Sequence, residues 1–329
     1  MTHTFAQLSN NAVYSATFVF CLAMVAHIVE WAMARQVTAA PVRERQGALV
    51  AAGAGPTRIE NVTPAAPPQS ADDAQGRDRF GRIGFSLTVL GMLVLLLGVV
   101  SRGIAAQRVP WGSMYEFTIT CSVAIVAAYV VLVKKYGVRW LGLPVTAFLT
   151  LALGIAVVLL YRPVEPLVPA LHSYWLYIHV TSAAIAGGAY TVGALASLLY
   201  LARARVEARA AADPERPRTG FLWQVPSTER IDRVAYRVHA FAFPMWTFAV
   251  LCGAIWAQYA WGRFWGWDPK ETWAFITWVC YAAYLHARAT AGWKGKAAAY
   301  IALVGYSTFL FNFIGINLFG SGLHSYAGV

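Results

Sequence analysis

The chain has 329 residues, of which 58% are hydrophobic and only 12% charged, and its mean hydropathy is +0.52. Charged residues make up about a quarter of a soluble domain, so a soluble two-domain enzyme is excluded and an integral membrane protein is implied. The formal net charge of +11, from 26 basic and 15 acidic residues, would raise nucleic acid as a partner for a soluble protein; in a membrane chain it is first a topology signal.

Apolar stretches of about 20 residues cross the roughly 30 Å hydrocarbon layer as helices. Eight are predicted, near 12–33, 83–101, 117–133, 141–160, 174–201, 238–260, 273–290 and 297–319. No Lys or Arg precedes the first, and its apolar run is too long for the h-region of a signal peptide, so it is expected to be retained as a span. The expected fold class is therefore all-α, a polytopic membrane helix bundle.

The connections alternate in charge. Lys and Arg number seven, two, three, one, eight, two and three in successive connections, with Arg288 at the end of the seventh span counted in the last, and the termini have none. The odd connections thus hold 21 of the 26 basic residues. Basic loops stay in the cytoplasm, so both termini and the even connections are expected outside, in a plasma (inner) membrane. No nucleic-acid partner is needed to explain the charge.

Residues 34–81, rich in Ala, Pro and Gly, read as a flexible cytoplasmic linker between a first transmembrane helix (1–33) and a membrane domain (82–329). The connection 203–237 ends in Ile231, Val234, Ala235 and Val238 at helical spacing among Arg230, Arg233 and Arg237. That pattern predicts an amphipathic helix lying on the anionic inner leaflet. Cys21, Cys121, Cys252 and Cys280 each sit in an apolar run with no Cys-x-x-Cys pair, so they read as small core hydrophobes and no metal site of that kind is expected.

Six of the thirteen tryptophans fall between 256 and 278, around the sixth, outward connection. The run Trp261-Gly-Arg-Phe-Trp265-Gly-Trp267-Asp268-Pro269-Lys270-Glu271-Thr-Trp273 exceeds what an interfacial aromatic belt requires. Gly262 and Gly266 remove side chains beside the indoles, which suits close approach by a flat ligand such as a porphyrin. Asp268 as N-cap, Pro269 at N1 and Glu271 at N3 form a capping-box-like start for the seventh helix. A rigid helix entry would hold the flanking indoles in place.

The seven histidines sort by predicted depth. His179 lies just inside the outer end of the fifth span and His324 just beyond the outer end of the eighth, both on the side of the tryptophan run. Each alone reads as an interfacial hydrogen-bonding group. Together they form a candidate axial pair for haem iron, with indoles covering the ring edges. His286 follows Trp273 by thirteen residues, about 20 Å down an inward-running helix, where an ionisable group points to function. His27 lies at comparable depth, His172 is a rival for the outer site because it precedes His179 by seven residues, His239 reads as interfacial and His3 as terminal.

These residues carry a resemblance. The run from Ala254 to His286 is similar to the WWD signature of the cytochrome c biogenesis family CcsA, also called ResC. Pro110-Trp-Gly-Ser-Met-Tyr115-Glu116 resembles that family's segment before its third helix, Trp175-Leu-Tyr-Ile-His179-Val its first external histidine motif, and Gly322-Leu-His324-Ser-Tyr326 its second. The likeness covers about residues 110–329, with a WWD loop at 256–273. It implies a subunit of a haem-attachment (synthase or lyase) complex that works with a ResB/CcsB-type membrane partner and a thiol-reducing pathway. Haem b would be taken from the cytoplasmic side and presented outside to an apocytochrome c with a Cys-x-x-Cys-His motif. His179 and His324 correspond to the family's external pair and His286 to its membrane histidine. The other membrane ligand belongs to the partner, which argues against His27.

On this reading Trp261, Trp265, Trp267, Asp268 and Trp273 form the haem platform, and Arg263, Lys270 and Arg162 are candidate propionate contacts, with headgroup snorkelling the plainer role for each. Gly320 and Gly322 make the His324 side the one expected to release. Two rivals stand beside it: a haem exporter with no part in bond formation, which the same ligands would permit, and a respiratory haem-b subunit carrying electrons, which would instead place paired histidines on facing helices across the bundle.

Overall fold

The computed structural model describes residues 2–33, 71–165, 173–213, 215, 218–320 and 322–324. Among them the secondary structure is helical throughout, in eight long helices. These are α1 (Thr2–Met33), α2 (Ala71–Ala106), α3 (Met114–Tyr136), α4 (Gly142–Val158), α5 (Tyr174–Ala212), α6 (Thr228–Trp261), α7 (Pro269–Ala289) and α8 (Lys296–Phe319). α8 contains a π-helical turn at Phe311–Gly315. Seven of the eight, all but α7, are long and apolar enough to cross a membrane, and the chain is a multi-pass membrane protein. α7 is polar at both ends, with Lys270, Glu271, His286 and Arg288, yet its 21 residues extend about 31 Å at 1.5 Å per residue.

Local chemistry sets the helix ends. Ser113 caps α3 by accepting from the Glu116 N–H, and Gly137 closes the helix at φ 64°, a left-handed conformation that glycine adopts without strain. Ser173 caps α5 through the Trp175 N–H. α7 begins with the capping box that its sequence predicts: Asp268 and Glu271 bond each other's backbone reciprocally, with Pro269 in the first turn.

Two expectations are corrected. α2 begins at Ala71, so the last eleven residues assigned to the flexible linker are helical; 34–70 lie outside the described residues. The stripe Ile231, Val234, Ala235 and Val238 is not a separate helix on the leaflet. It forms the first turns of the continuous α6 and is buried in the protein core.

The most extensive packing joins α1 with α2 and α5 with α6, while α3 lies against α2, α4 and α5. α5 makes close packing possible with small residues: at Gly187 a Cβ would meet Phe309 at 2.5 Å, and at Gly188 the α3 backbone at Ala124 and Ile125 at 2.9–3.0 Å. One end of the bundle gathers the connection 107–113, the start of α5, the tryptophan run and the end of α8. The opposite end holds a bidentate ion pair of Arg288 with Asp232, at 2.8 and 3.0 Å, and Arg139 paired with Asp78 at 2.6 Å.

Candidate functional site

At the first end, α3, α5, α6, α7 and α8 enclose a cavity of about 190 Å³ whose lining includes Trp111, Phe117, His179, Trp256, Trp261, Trp265, Lys270, Asn312, Asn317 and His324. His179 and His324, 145 positions apart in sequence, thus face one space. The indole of Trp256 neighbours both, parallel to His179 within 8° at a centroid distance of 6.1 Å and tilted against His324 at 5.7 Å. Trp261 meets His324 edge-on at 4.8 Å.

Each imidazole is oriented by its Nδ1. That of His179 lies 2.8 Å from the Ala249 carbonyl within α6, a contact that requires Nδ1 to carry the proton and makes Nε2 the unprotonated nitrogen of the neutral ring. Gly253 gives the ring its place, since a Cβ there would stand 2.8 Å from Cε1 and Nδ1. His324 Nδ1 lies 2.8 Å from Asp268 Oδ1, a carboxylate–histidine pair of the kind that orients metal ligands. Burial acts to raise the Asp268 pKa, but the His324 hydrogen bond and charge, with the Lys270 and Leu323 N–H groups, bring it down to about 2. Asp268 is therefore a carboxylate at any physiological pH.

The wall opposite the tryptophan run hangs on a buried ion cluster. Glu116 accepts from Arg102 Nε at 2.9 Å, Arg108 Nη1 at 2.7 Å and the Gly112 N–H at 2.8 Å. The two arginines also donate to the carbonyls of Arg162 and Glu165, at 2.6 and 3.2 Å. The cluster fixes the turn 107–113, and with it Trp111 and the start of α3. Two buried polar atoms of the cavity lining, Trp111 Nε1 and Asn312 Oδ1, have no hydrogen-bond partner among the described residues, a need that a bound molecule can satisfy.

The sequence-based candidates are distributed as follows. Trp261, Trp265 and Lys270 line the cavity with His179 and His324. Trp267 does not: it is 63% exposed, held at φ +56°, with its ring against Trp265 and Phe275. Trp273 packs on Phe311 at 4.3 Å. Asp268 directs its carboxylate to the Lys270 and Leu323 N–H groups and to His324. Arg263 pairs with Glu271 at 3.0 Å and lies over Trp261, and its guanidinium fills the space beside Gly266, so that glycine makes room for Arg263. Gly262 is the left-handed cap of α6 at φ 70°. Arg162 is exposed, and His172 lies outside the described residues.

His286 is remote from the cavity, at the C-terminal end of an exposed α7 stripe of Phe275, Val279, Ala283 and His286. His27 is buried, with Nδ1 2.9 Å from Glu30 and its ring in contact with the Cβ positions of Gly84 and Gly142, so no porphyrin fits against it. His239, expected at the interface, is fully buried among Tyr190, Tyr281 and Tyr284. The sequence reading also missed Trp111, Asn312 and the Glu116 cluster. The charged residues flanking Trp111 in an otherwise apolar, outward segment were the available signal for the last.

A family model described as cytochrome C assembly protein matches residues 111–324. The CcsA cytochrome c biogenesis protein of Synechococcus elongatus is 34% identical over 293 residues, 77% of this chain and 88% of its own length. That of Guillardia theta is 31% identical over 256 residues, 74% of this chain and 85% of its own. Among solved structures the chain is similar to the cytochrome c heme lyase CcmF with a TM-score of 0.59 at 15% identity, covering 94% of this chain and 47% of that one. At that identity the likeness shows the fold alone, and the chain spans about half the length of the lyase.

Proposed function

The chain belongs to the CcsA family of cytochrome c biogenesis proteins, and from that premise we propose that it carries haem b across the plasma membrane and presents it to apocytochrome c for covalent attachment. His179 and His324 ligate the iron at the outer cavity. Trp256, Trp261 and Trp265 cover the macrocycle. His286, on the exposed stripe of α7, ligates haem on the inner side together with a residue of a ResB-type membrane partner that packs on that stripe. The observation that supports this most is the shared cavity: two imidazoles from distant segments border one space, each with its Nδ1 engaged by the protein.

Bis-histidine ligation saturates the iron while the vinyl edge stays accessible. Each apocytochrome thiol adds across one vinyl group, sulfur bonding to the inner vinyl carbon and a proton going to the terminal one, with no net electron change. The substrate's own histidine then takes the place of one protein imidazole. Lys270, in the cavity lining, is the cation best placed to meet a propionate, because Arg263 is committed to Glu271.

The test is the haem spectrum of the chain purified with its partner, alongside covalent haem on a co-expressed c-type cytochrome. His179→Ala and His324→Ala are expected to lose the six-coordinate low-spin bands of the outer site and at least 90% of cytochrome maturation. His286→Ala should diminish haem loading as a whole. Normal haem and normal maturation in the first two variants would overturn the outer-site assignment, and haem bound without any attachment in the wild type would favour an exporter.

A further inference from the structure

His324 follows the last turn of α8 on the short run Gly322–His324, and Asp268 engages that run at each of its residues. Oδ1 accepts from the His324 imidazole at 2.8 Å, and Oδ2 accepts from the Leu323 N–H at 2.7 Å. Gly322 lies so close that a Cβ there would collide with Oδ2 and stand 3.1 Å from Pro269 Cδ. Gly322 thus provides close approach to Asp268, whereas its sequence suggested looseness. The same carboxylate caps α7 through the Lys270 N–H at 3.0 Å. His179 is held by other means: its backbone belongs to the 39-residue α5, and its Nδ1 meets a neutral helical carbonyl.

We propose that Asp268 is a positioning residue that latches the His324 segment, so that the imidazole and the Leu323 backbone dock or leave as one unit, and that His324 is therefore the ligand exchanged for a substrate histidine. A charge-assisted hydrogen bond raises the basicity of a ligating imidazole. While the latch is closed, His324 is the stronger donor of the pair; once it opens, both the orientation and the added basicity are lost together. The backbone of His179 belongs to a helix packed against α3, α6 and α8, so it does not move as a short terminal segment can. The proposal rests on the reading of His179 and His324 as the outer pair, and its test separates the two.

The latch is measurable without haem, as hydrogen exchange of the Leu323 amide in the purified full chain. Asp268→Asn retains an N-cap oxygen for α7 but presents an NH₂ group to the Leu323 N–H. Gly322→Ala leaves the carboxylate intact and pushes the segment away from it. Both variants are expected to exchange Leu323 at least tenfold faster, with exchange in 277–285 of α7 unchanged. In the haem-loaded complex, Asp268→Asn should lose part of the low-spin signature that His324→Ala loses, and a Cys-x-x-Cys-His peptide should raise Leu323 exchange in the wild type. Unchanged Leu323 exchange in both variants, or Leu323 protection that persists when the peptide binds, overturns the proposal. Faster exchange in both variants, together with a haem spectrum indifferent to Asp268→Asn and His324→Ala, upholds the latch and overturns the outer-pair reading.

Discussion

Glu116 is a buried carboxylate that answers the buried Arg102, the largely buried Arg108 and a backbone N–H at once. Removing one member of such a network costs far more than the network contributes, because the remaining charges stay in low dielectric without their counter-ion. Glu116→Ala is expected to destabilise the detergent-solubilised protein by about 3–5 kcal/mol, read as a lowered midpoint of thermal unfolding. A change below about 1 kcal/mol, the range of exposed ion pairs, would refute the assignment of this cluster as the anchor of the cavity wall. Residues of this kind divide by how local their partners are. The Asp268 and Glu271 capping box is contained in four consecutive positions and is legible in the sequence. The second role of Asp268, toward Leu323 and His324, joins positions 55 and 56 apart, and no spacing rule reaches that far. His239 was misplaced for the same reason: depth along a helix is legible, but the side of the helix on which Gly193 opens a space for its ring is a property of the neighbouring helix.

At the level of helices, all eight segments are legible in the sequence: seven because lipid imposes length and apolarity on each one independently, and α7, polar at both ends, through the apolar run 273–285 between them. What each face meets is not imposed in that way. The stripe Ile231, Val234, Ala235 and Val238 has the same spacing whether it contacts acyl chains or protein, and in α6 it contacts protein. α5 shows what sets helix proximity: its small residues admit α3 at backbone distance, and Gly188 faces backbone atoms that cannot rotate aside. Gly188→Ala should therefore cost about 1–3 kcal/mol by overpacking, despite alanine's better helix propensity. A thermal midpoint equal to or above that of the parent would show that α3 yields, contrary to the close approach seen here.

For the whole molecule, the charge alternation and the fold agree on which ends belong together. The connections 107–113 and 262–268, each poor in basic residues, lie at the cavity end with the start of α5 and the end of α8. The connections 137–141 and 290–295 lie at the other end, each with one basic residue of its own and flanked by further ones in the adjoining helix ends, Lys134 and Lys135 of α3, Arg288 of α7 and Lys296 of α8, beside the Arg288–Asp232 pair. Alkaline phosphatase fused after residue 165 or after residue 319 is expected to be active, and fused after residue 215 inactive, if the cavity end faces outward. Activity at 215 would invert the proposed direction of haem movement.

The π-helical turn at Phe311–Gly315 governs where the chain points once it leaves that bundle. Such a turn holds one residue more than its α-helical neighbours, so everything after it is rotated by about 100° relative to an uninterrupted helix. Asn317 and His324 lie downstream of that offset while Phe309 lies upstream, and all three border the same cavity. The single extra residue thus works as a phase adjustment between a helix half that fits its neighbours and a half that aims its last imidazole.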